Sequence, residues 1–403
     1  MGLVCAAALA LAGVGPAGAD TYKPTRFDDP TPGKCKKTNC SLREAITKSN
    51  KHEGKDKVKL QAGSYVVELP ENGNDDNRAG DFDVTDRVTI AGKGPDETVV
   101  DGQEVSGVFS LLTFSPHSVK NMTIEDGNRN FGAGIATGPS KAVVKDVVLR
   151  SNTAGVGGGG GMSTVSTNLK VSRTTFVANA SPRGAGMYVP TGIVGSPAGT
   201  IDSSTFEGNT GDLGAGLYLD GATHDVSFTD DPDIDVVNST FAGNEANVSG
   251  GGIAAILGAK IALDNSTVAY NGADADNSGG GSGGGMYQSA PSDPADFQIK
   301  DIILGENAVG TSGDGPQCYG SFTGSGLIAG STSGCTIGGD LVADAMIGPL
   351  AENGGPTKTI SLDVGSPAID HPNPVDCPEF DQRGRKRDAN CDWGSFERKP
   401  NDP

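Results

Sequence analysis

Large aromatic side chains are scarce in this 403-residue chain, which holds 1 Trp, 7 Tyr and 13 Phe. That shortage excludes one thick globular core and favours thin hydrophobic layers separated by many turns. Positive charge is short as well: 31 Lys and Arg face 50 Asp and Glu, a formal net charge of −19. A field of that sign repels nucleic acid and anionic membrane surfaces, so neither is expected as a partner. Histidine is limited to His52, His117, His224 and His371, which are scattered, and there is no CxxC. A Cys/His metal site is therefore a weak candidate. Between residues 41 and 317 there is no cysteine at all.

Long apolar runs are also missing, apart from "MGLVCAAALALAGVGPAGAD" at the start. This run is short, rich in Ala and Gly, and closes with Ala17 and Ala19 spaced like a signal-peptidase site. Residues 1–19 are therefore expected to be an export signal and not a membrane anchor. Cys5 follows Val4 and does not sit where a lipid-modified cysteine would follow a small residue. The six remaining cysteines, Cys35, Cys40, Cys318, Cys335, Cys377 and Cys391, are an even set suited to disulfides in an exported chain. Six cysteines permit fifteen pairings. Their distribution favours nearest neighbours, closing the two ends of the fold.

Glycine, in contrast, is abundant, with 62 residues, and it belongs to a repeat. "SVKNMTI", "AVVKDVVL", "LKVSRTTF", "GTIDSSTF", "DVVNSTF", "IALDNSTV" and "QIKDIIL" end at Ile124, Leu149, Phe176, Phe206, Phe241, Val268 and Leu304. The intervals are 25, 27, 30, 35, 27 and 36 residues. Each copy alternates apolar and polar positions, the period of a half-buried strand. Most are followed three residues on by asparagine ("FVAN", "FEGN", "FAGN", "VAYN", "LGEN") and then by "GAGI", "GGGM", "GAGM" or "GAGL". Such a unit cannot bury its own apolar face, but stacked on copies of itself it can. Aliphatic ladders would then fill the interior, asparagines would pair from layer to layer, and glycines would serve corners. The fold predicted is all-β, a single right-handed parallel β-helix of roughly nine layers. A two-sheet sandwich would show hairpin turns every 8 to 12 residues and no fixed repeat near 27.

"NCSLREAITKSN" stands apart as a helix. Ser41 is a good N-cap, Glu44 completes a capping box, and Leu42, Ala45 and Ile46 form an apolar stripe. A stacked helix exposes an open hydrophobic end and an unpaired strand edge, so this helix is expected to be the lid. Four segments follow: 1–19 signal, 20–54 N-terminal cap, 55–310 β-helix repeats, and 311–403 the helix end with a disulfide-stabilised C-terminal cap.

Three stretches also resemble known families. "CKKTNCSLREAI" with "DKVKLQAGSYVVEL" resembles the CSLREA domain of secreted bacterial proteins. "IGPLAENGGPTKTISLDVGSPAIDHPNPVDCPEFDQRGRKRDANCDWGSFE" resembles the choice-of-anchor Q domain. The middle is similar to the FxxN and GGA[IL] repeats of polymorphic outer-membrane proteins. The resemblance implies an extracellular or cell-surface β-helix of the pectin-lyase-like type. No anchor helix, LPxTG-like motif or translocator barrel follows "ERKPNDP", which leaves the mode of surface retention open.

Candidate chemistry is thin. Asp225, Asp230, Asp231, Asp233 and Asp235 in "HDVSFTDDPDIDVV" form a calcium candidate, because alternating aspartates share one face of an extended segment. The plainer reading is a solvated acidic loop. "NGADADNSGGG", with Asp274, Asp276 and Asn277, is a weaker version. "GGSGG" formally matches GxSxG at Ser282, but no helix follows and His371 is the one later histidine, so chance explains it. Asn121, Asn238, Asn247 and Asn265 sit in glycosylation sequons, three of them at or beside the repeat motif, where register explains them. "DQRGRKR" (Asp381, Arg383, Arg385, Lys386, Arg387) is the one basic cluster. It is expected to pair with Asp392 and Glu397 inside the cap, with an anionic glycan as the alternative.

Function is expected to be a non-enzymatic adhesion, glycan-binding or envelope-binding module, secreted or at the cell surface and monomeric. It would need no cofactor unless calcium, and its contacts would come from residues 223–236 and 272–297. A polysaccharide lyase or glycoside hydrolase is the rival, by fold analogy. Arg150, Arg173 and Arg183 are the basic residues nearest the middle layers, and no strand carries the two or three carboxylates that would complement them.

Overall fold

A computed structural model describes residues 18–72, 77–192, 194–221, 231–288, 294–371 and 377–402. The repeat copies are parallel strands lying directly over one another: Ile124 pairs with Leu149, Leu149 with Phe176, Phe176 with Phe206, Phe206 with Phe241, Phe241 with Val268 and Val268 with Leu304. The chain is a single right-handed parallel β-helix. Each coil has a long strand that bends midway, and its two arms form a front face and a flank face of one 18-stranded sheet. A short corner strand follows, then a strand of a ten-stranded back sheet. Among the described residues ten coils are thus present, against the roughly nine expected.

The bend has a local cause. Asn121, Asp146, Arg173, Ser203, Asn238, Asn265 and Asp301 all hold φ between 43° and 57°, and short polar side chains tolerate that left-handed conformation best. Three of the four sequons therefore begin at structural corners. Asn238 and Asn265 are moreover buried beneath the C-terminal segment, donating to the carbonyls of Phe380 and Asp392.

Inside, Phe176, Phe206 and Phe241 form one column, with ring centroids 4.4 and 4.5 Å apart and planes within 6°. At the next corner runs a buried amide ladder. The Nδ2 of Asn152, Asn179, Asn209, Asn244 and Asn271 each donates to the Oδ1 of the next asparagine, as far as Asn307, at 2.8–3.0 Å. Asn307 closes the series on Gln317. Each amide also donates to a carbonyl one layer back, for example Asn209 to Phe176 at 3.0 Å. The glycine clusters follow from this spacing. A Cβ on Gly186 would lie 2.4 Å from the carbonyl oxygen of Gly216 and 2.9 Å from the Phe206 ring.

The lid is the helix Leu42–Ser49, with the Ser41–Glu44 capping box formed on both sides. Leu42, Ala45 and Ile46 sit in the core with Val58, Tyr65 and Phe82. Arg43 is fully buried. Its guanidinium meets the Asp29 carboxylate at 2.7 and 2.8 Å, donates to the carbonyls of Gly80 and Asp81, and lies over the Phe82 ring. The three disulfides join Cys35 to Cys40, Cys318 to Cys335 and Cys377 to Cys391.

The C-terminal cap takes an unexpected place. Its disulfide Cys318–Cys335 ties the last two coils, but residues 345–371 and 377–402 turn back and lie along the flank face. Outward Thr205, Thr240 and Thr267 bond to Gln382 and Ser395. Outward Ile303, Leu327 and Ala329 pack against Leu362, Trp393 and Phe396. Gly394 (φ 85°) is pressed onto the sheet so closely that a Cβ would come within 2.7 Å of Ile303 and Thr267. The basic cluster is consumed internally: Arg383 pairs with Asp381 and Asp402, Arg387 with Glu397, and Arg385 with Asp402. The Asp392 carboxylate accepts from the backbone N–H groups of Asp370 and Arg398, while the Arg387 guanidinium donates to the Asp392 carbonyl.

Replacing Asn209 by alanine strips buried partners from Asn179, Phe176 and Asn244. The expected loss is about 3 kcal/mol in denaturant unfolding, against no measurable loss for exposed Lys170→Ala. Equal midpoints for the two variants would remove the ladder from the account of stability.

Candidate functional site

Three regions carry chemistry. The first is built by the N-terminal strand Thr21–Tyr22, which pairs with Lys57–Val58 and extends the front sheet by one layer. Cys35–Cys40 ties off a small turn in which Lys36 and Asn39 exchange backbone hydrogen bonds at 3.0 and 3.2 Å. Between this turn and the front-face corners at 59–62 and 91–93 lies a cleft of about 1060 Å³. Its charged lining is six lysines, Lys23, Lys36, Lys37, Lys48, Lys59 and Lys93, with no acidic side chain among the described residues. Lys48 sits 5.0 Å over the Tyr22 ring, and none of the six makes an ion pair with a described residue. Several basic groups elsewhere are engaged, as in Arg129–Asp81, Arg173–Asp146 and Lys358–Glu207, and what distinguishes the six is their convergence on one cleft.

The second region is the rest of the front face. "KDKVKL" turns Lys57 and Lys59 outward while Val58 and Leu60 are buried. Lys120 and Lys145 fall in the same column as Lys59. Further along, the outward positions turn mostly acidic, with Asp202, Asp233, Asp235, Asp264 and Asp296, although Lys260 stands between Asp233 and Asp296 and Lys300 pairs with Asp264. The net charge therefore conceals a face that is positive at one end and of mixed, mainly negative charge at the other.

The third region lies on the uncovered part of the flank face. Asp101 pairs in register with Glu125, and Asp126 is the corner residue that follows. Their carboxylate oxygens all lie within 4.8 Å of one another, and among the described residues they are the one trio of His, Cys, Asp or Glu so close. Arg150 stands one layer on and pairs with Glu125. Burial, then Glu125, Asp101 and Glu104, push the Asp126 carboxyl above its ordinary range. No single strand displays these carboxylates: they come from neighbouring layers, two on one coil and one on the coil before.

The other candidates fare differently. Asp225 and Asp230 lie outside the described residues. Asp233 and Asp235 share the outer front face, exposed, as their alternation implied. Burial and the charges of Asp233 and Asp264 raise the Asp235 carboxyl. Asp274 is buried and accepts from the Gly279 N–H, while Asp276 and Asn277 are exposed. Ser282 is a bridge residue between Ser249 and Asp314. His371 bonds Asp340 and stacks on Trp393, so it is no base for Ser282. No helix among the described residues is long and apolar enough to cross a membrane.

No protein-family model matches the chain, and no curated protein matches it. Among solved structures, the crystal structure of pectate lyase Pel9A is similar over 95% of this chain and 97% of its own, with a TM-score of 0.53 and 12% identity. A rhamnogalacturonan lyase covers 83% of this chain and 92% of its own at 13% identity, with a TM-score of 0.37. The first likeness shows a pectin-lyase-like β-helix. At such identity it speaks to the fold alone.

Beside the front face, buried His117 bonds Thr113 through Nε2, and burial pulls its pKa from 6.5 down to about 4. The unfolded chain takes up the proton first, so stability falls as pH drops from 6.5 to 4, by about 3 kcal/mol. Asp392, raised by burial to about 6, acts oppositely: its folded form holds the proton more tightly, so its contribution falls as pH rises from 4 to 6. Comparing denaturant midpoints of the native chain and His117→Gln across this range isolates the histidine. The variant should lack the acid-side loss, and an identical loss in both would rule the histidine out as its source.

Proposed function

We propose that this chain is an extracellular, non-enzymatic β-helix that binds an acidic glycan or cell-envelope polymer in its N-terminal lysine cleft. The observation that carries the reading is six lysines without ion-pair partners around one cleft, in a protein of net charge −19. Converging unpaired ammonium groups make a local positive field whatever the total charge, and a flexible polyanion can satisfy several at once. The disulfide that braces the cleft is one of three, which suits an oxidising compartment outside the cytosol. An acidic protein of this kind remains soluble and selects against anions that cannot reach the cleft.

A second reading has its own observation. Asp101, Glu125 and Asp126 offer the oxygen ligands a hard cation such as calcium takes, with Arg150 beside them on a fold shared with a pectate lyase. Polysaccharide lyase chemistry would require a basic group free to remove a proton from the sugar. Arg150 is instead held by Glu125, and this makes binding the better-supported function.

Two measurements separate the readings. Acidic glycans on an array should bind the purified chain with or without calcium, more weakly as salt rises. Lys36→Glu/Lys37→Glu/Lys93→Glu should weaken binding by about tenfold or more, each exposed charge contact being worth up to about 1 kcal/mol. Unchanged binding in that variant would reject the cleft. Uronate polymers incubated with calcium should show no rise in the ultraviolet absorbance of unsaturated ends. A rise abolished by Asp126→Asn would instead establish the lyase.

A further inference from the structure

We infer that the front face beyond the cleft is the contact surface of an antiparallel, two-fold-symmetric pair of this chain. Among the described residues no segment covers this face, unlike the flank, where residues 345–371 and 377–402 lie over the strands. The middle column of the front face mixes small and charged side chains: Thr89, Ser118, Val143, Lys170, Thr200, Asp235 and Ala262 stand in register. A second sheet fits where each charged side chain meets a small one, so the charges decide which orientation is allowed.

The charges are arranged for one orientation. Ten front strands run from Asp56–Lys59 to the first residues of Thr323–Ala329. A two-fold axis laid along the strand direction, between Asn168–Ser172 and Ala198–Asp202, keeps each column over itself and reverses the order of coils. Lys141 of one copy then meets Asp233 of the other. Lys145 lies over Val237 beside Asp235, Arg87 over Asp296, and Lys170 over Thr200 beside Asp202. Each contact occurs twice. The parallel arrangement would set Lys170 and Asp235 each on its own copy and Lys141 on Lys145, with opposite charges meeting only toward the far end, where Asp296 would face Lys300.

Within one chain these groups lie too far apart along the face to pair, and Lys141, Lys145, Asp233 and Asp235 make no ion pair with a described residue. Crowding of Asp235 by Asp233 and Asp264 is relieved by an incoming cation. Ten strands at about 4.8 Å spacing and about 15 Å of width give about 700 Å² per copy, enough for a specific but modest interface. The pair is accordingly salt-sensitive. Of the six cleft lysines only Lys59 stands on these strands, at their very end, and neither charge-exchange pair below includes a cleft lysine, so the test is separate from glycan binding.

The test is a charge exchange read by sedimentation and light scattering. At low ionic strength the native chain should have twice the monomer mass and revert to monomer as salt rises. Lys141→Glu/Lys145→Glu and Asp233→Lys/Asp235→Lys should each be monomeric, and an equal mixture should recover the doubled mass, because the exchanged charges complement one another. A native chain that stays monomeric at low salt would overturn the proposal. So would a single variant that pairs like the native chain, or a mixture that does not pair. Should a charge reversal disturb folding, as read by circular dichroism, Thr200→Cys places one thiol beside the axis. A short bismaleimide should then give covalent dimers at low salt and none at high salt, and monomer in both would reject the pair.

Discussion

Each corner asparagine from Asn152 to Asn271 gives one amide proton to the next asparagine oxygen and the other to a carbonyl of the layer before. The same oxygen also receives a backbone N–H, as Asn209 Oδ1 does from Asn179. A buried amide satisfied in this way tolerates neither a slip of one residue nor a change of layer spacing, since either leaves polar groups unpaired away from water. The phenylalanine column beside it adds shape to the same constraint. Register is thereby held at the corner, and the outer faces inherit it.

That inheritance produces the functional surfaces. Lys59, Lys120 and Lys145 are separated by dozens of residues in the chain, yet occupy one column. Asp101 reaches Glu125 and Asp126 only because its strand sits one rung below theirs. In a β-helix a site is a pattern across layers, and loop insertions at one corner leave it intact. The C-terminal segment uses this property too, reading outward threonines and aliphatics of successive rungs as one docking surface.

Much of this was legible in the amino-acid order because it is periodic or local. The phenylalanine column, the asparagine ladder and the capping box of Ser41 and Glu44 each depend on spacing within one or two repeats. The three disulfides follow the shortest separations. What escaped depends on pairing between layers or on long returns. Thr205, Thr240, Thr267 and Ile303 are outward residues, and an outward isoleucine was the available hint that something lies over it. The burial of Arg43 was not legible, because its partner Asp29 lies fourteen residues before it, outside the helix. The lysine cleft was masked by the total charge, although "KCKK" and "KDKVK" already place lysines on one side of a turn and a strand.

The functional account rests on a claim about where charge is left unsatisfied: lysines in the cleft await an anion, whereas the carboxylate trio is already balanced in part by Arg150. A crystal structure with a short acidic oligosaccharide tests this directly. Ligand density between Lys36, Lys59 and Lys93, with the sugar's acidic groups facing the ammonium ions, is the predicted result. Density lying instead across Asp101, Glu125 and Asp126 would contradict it.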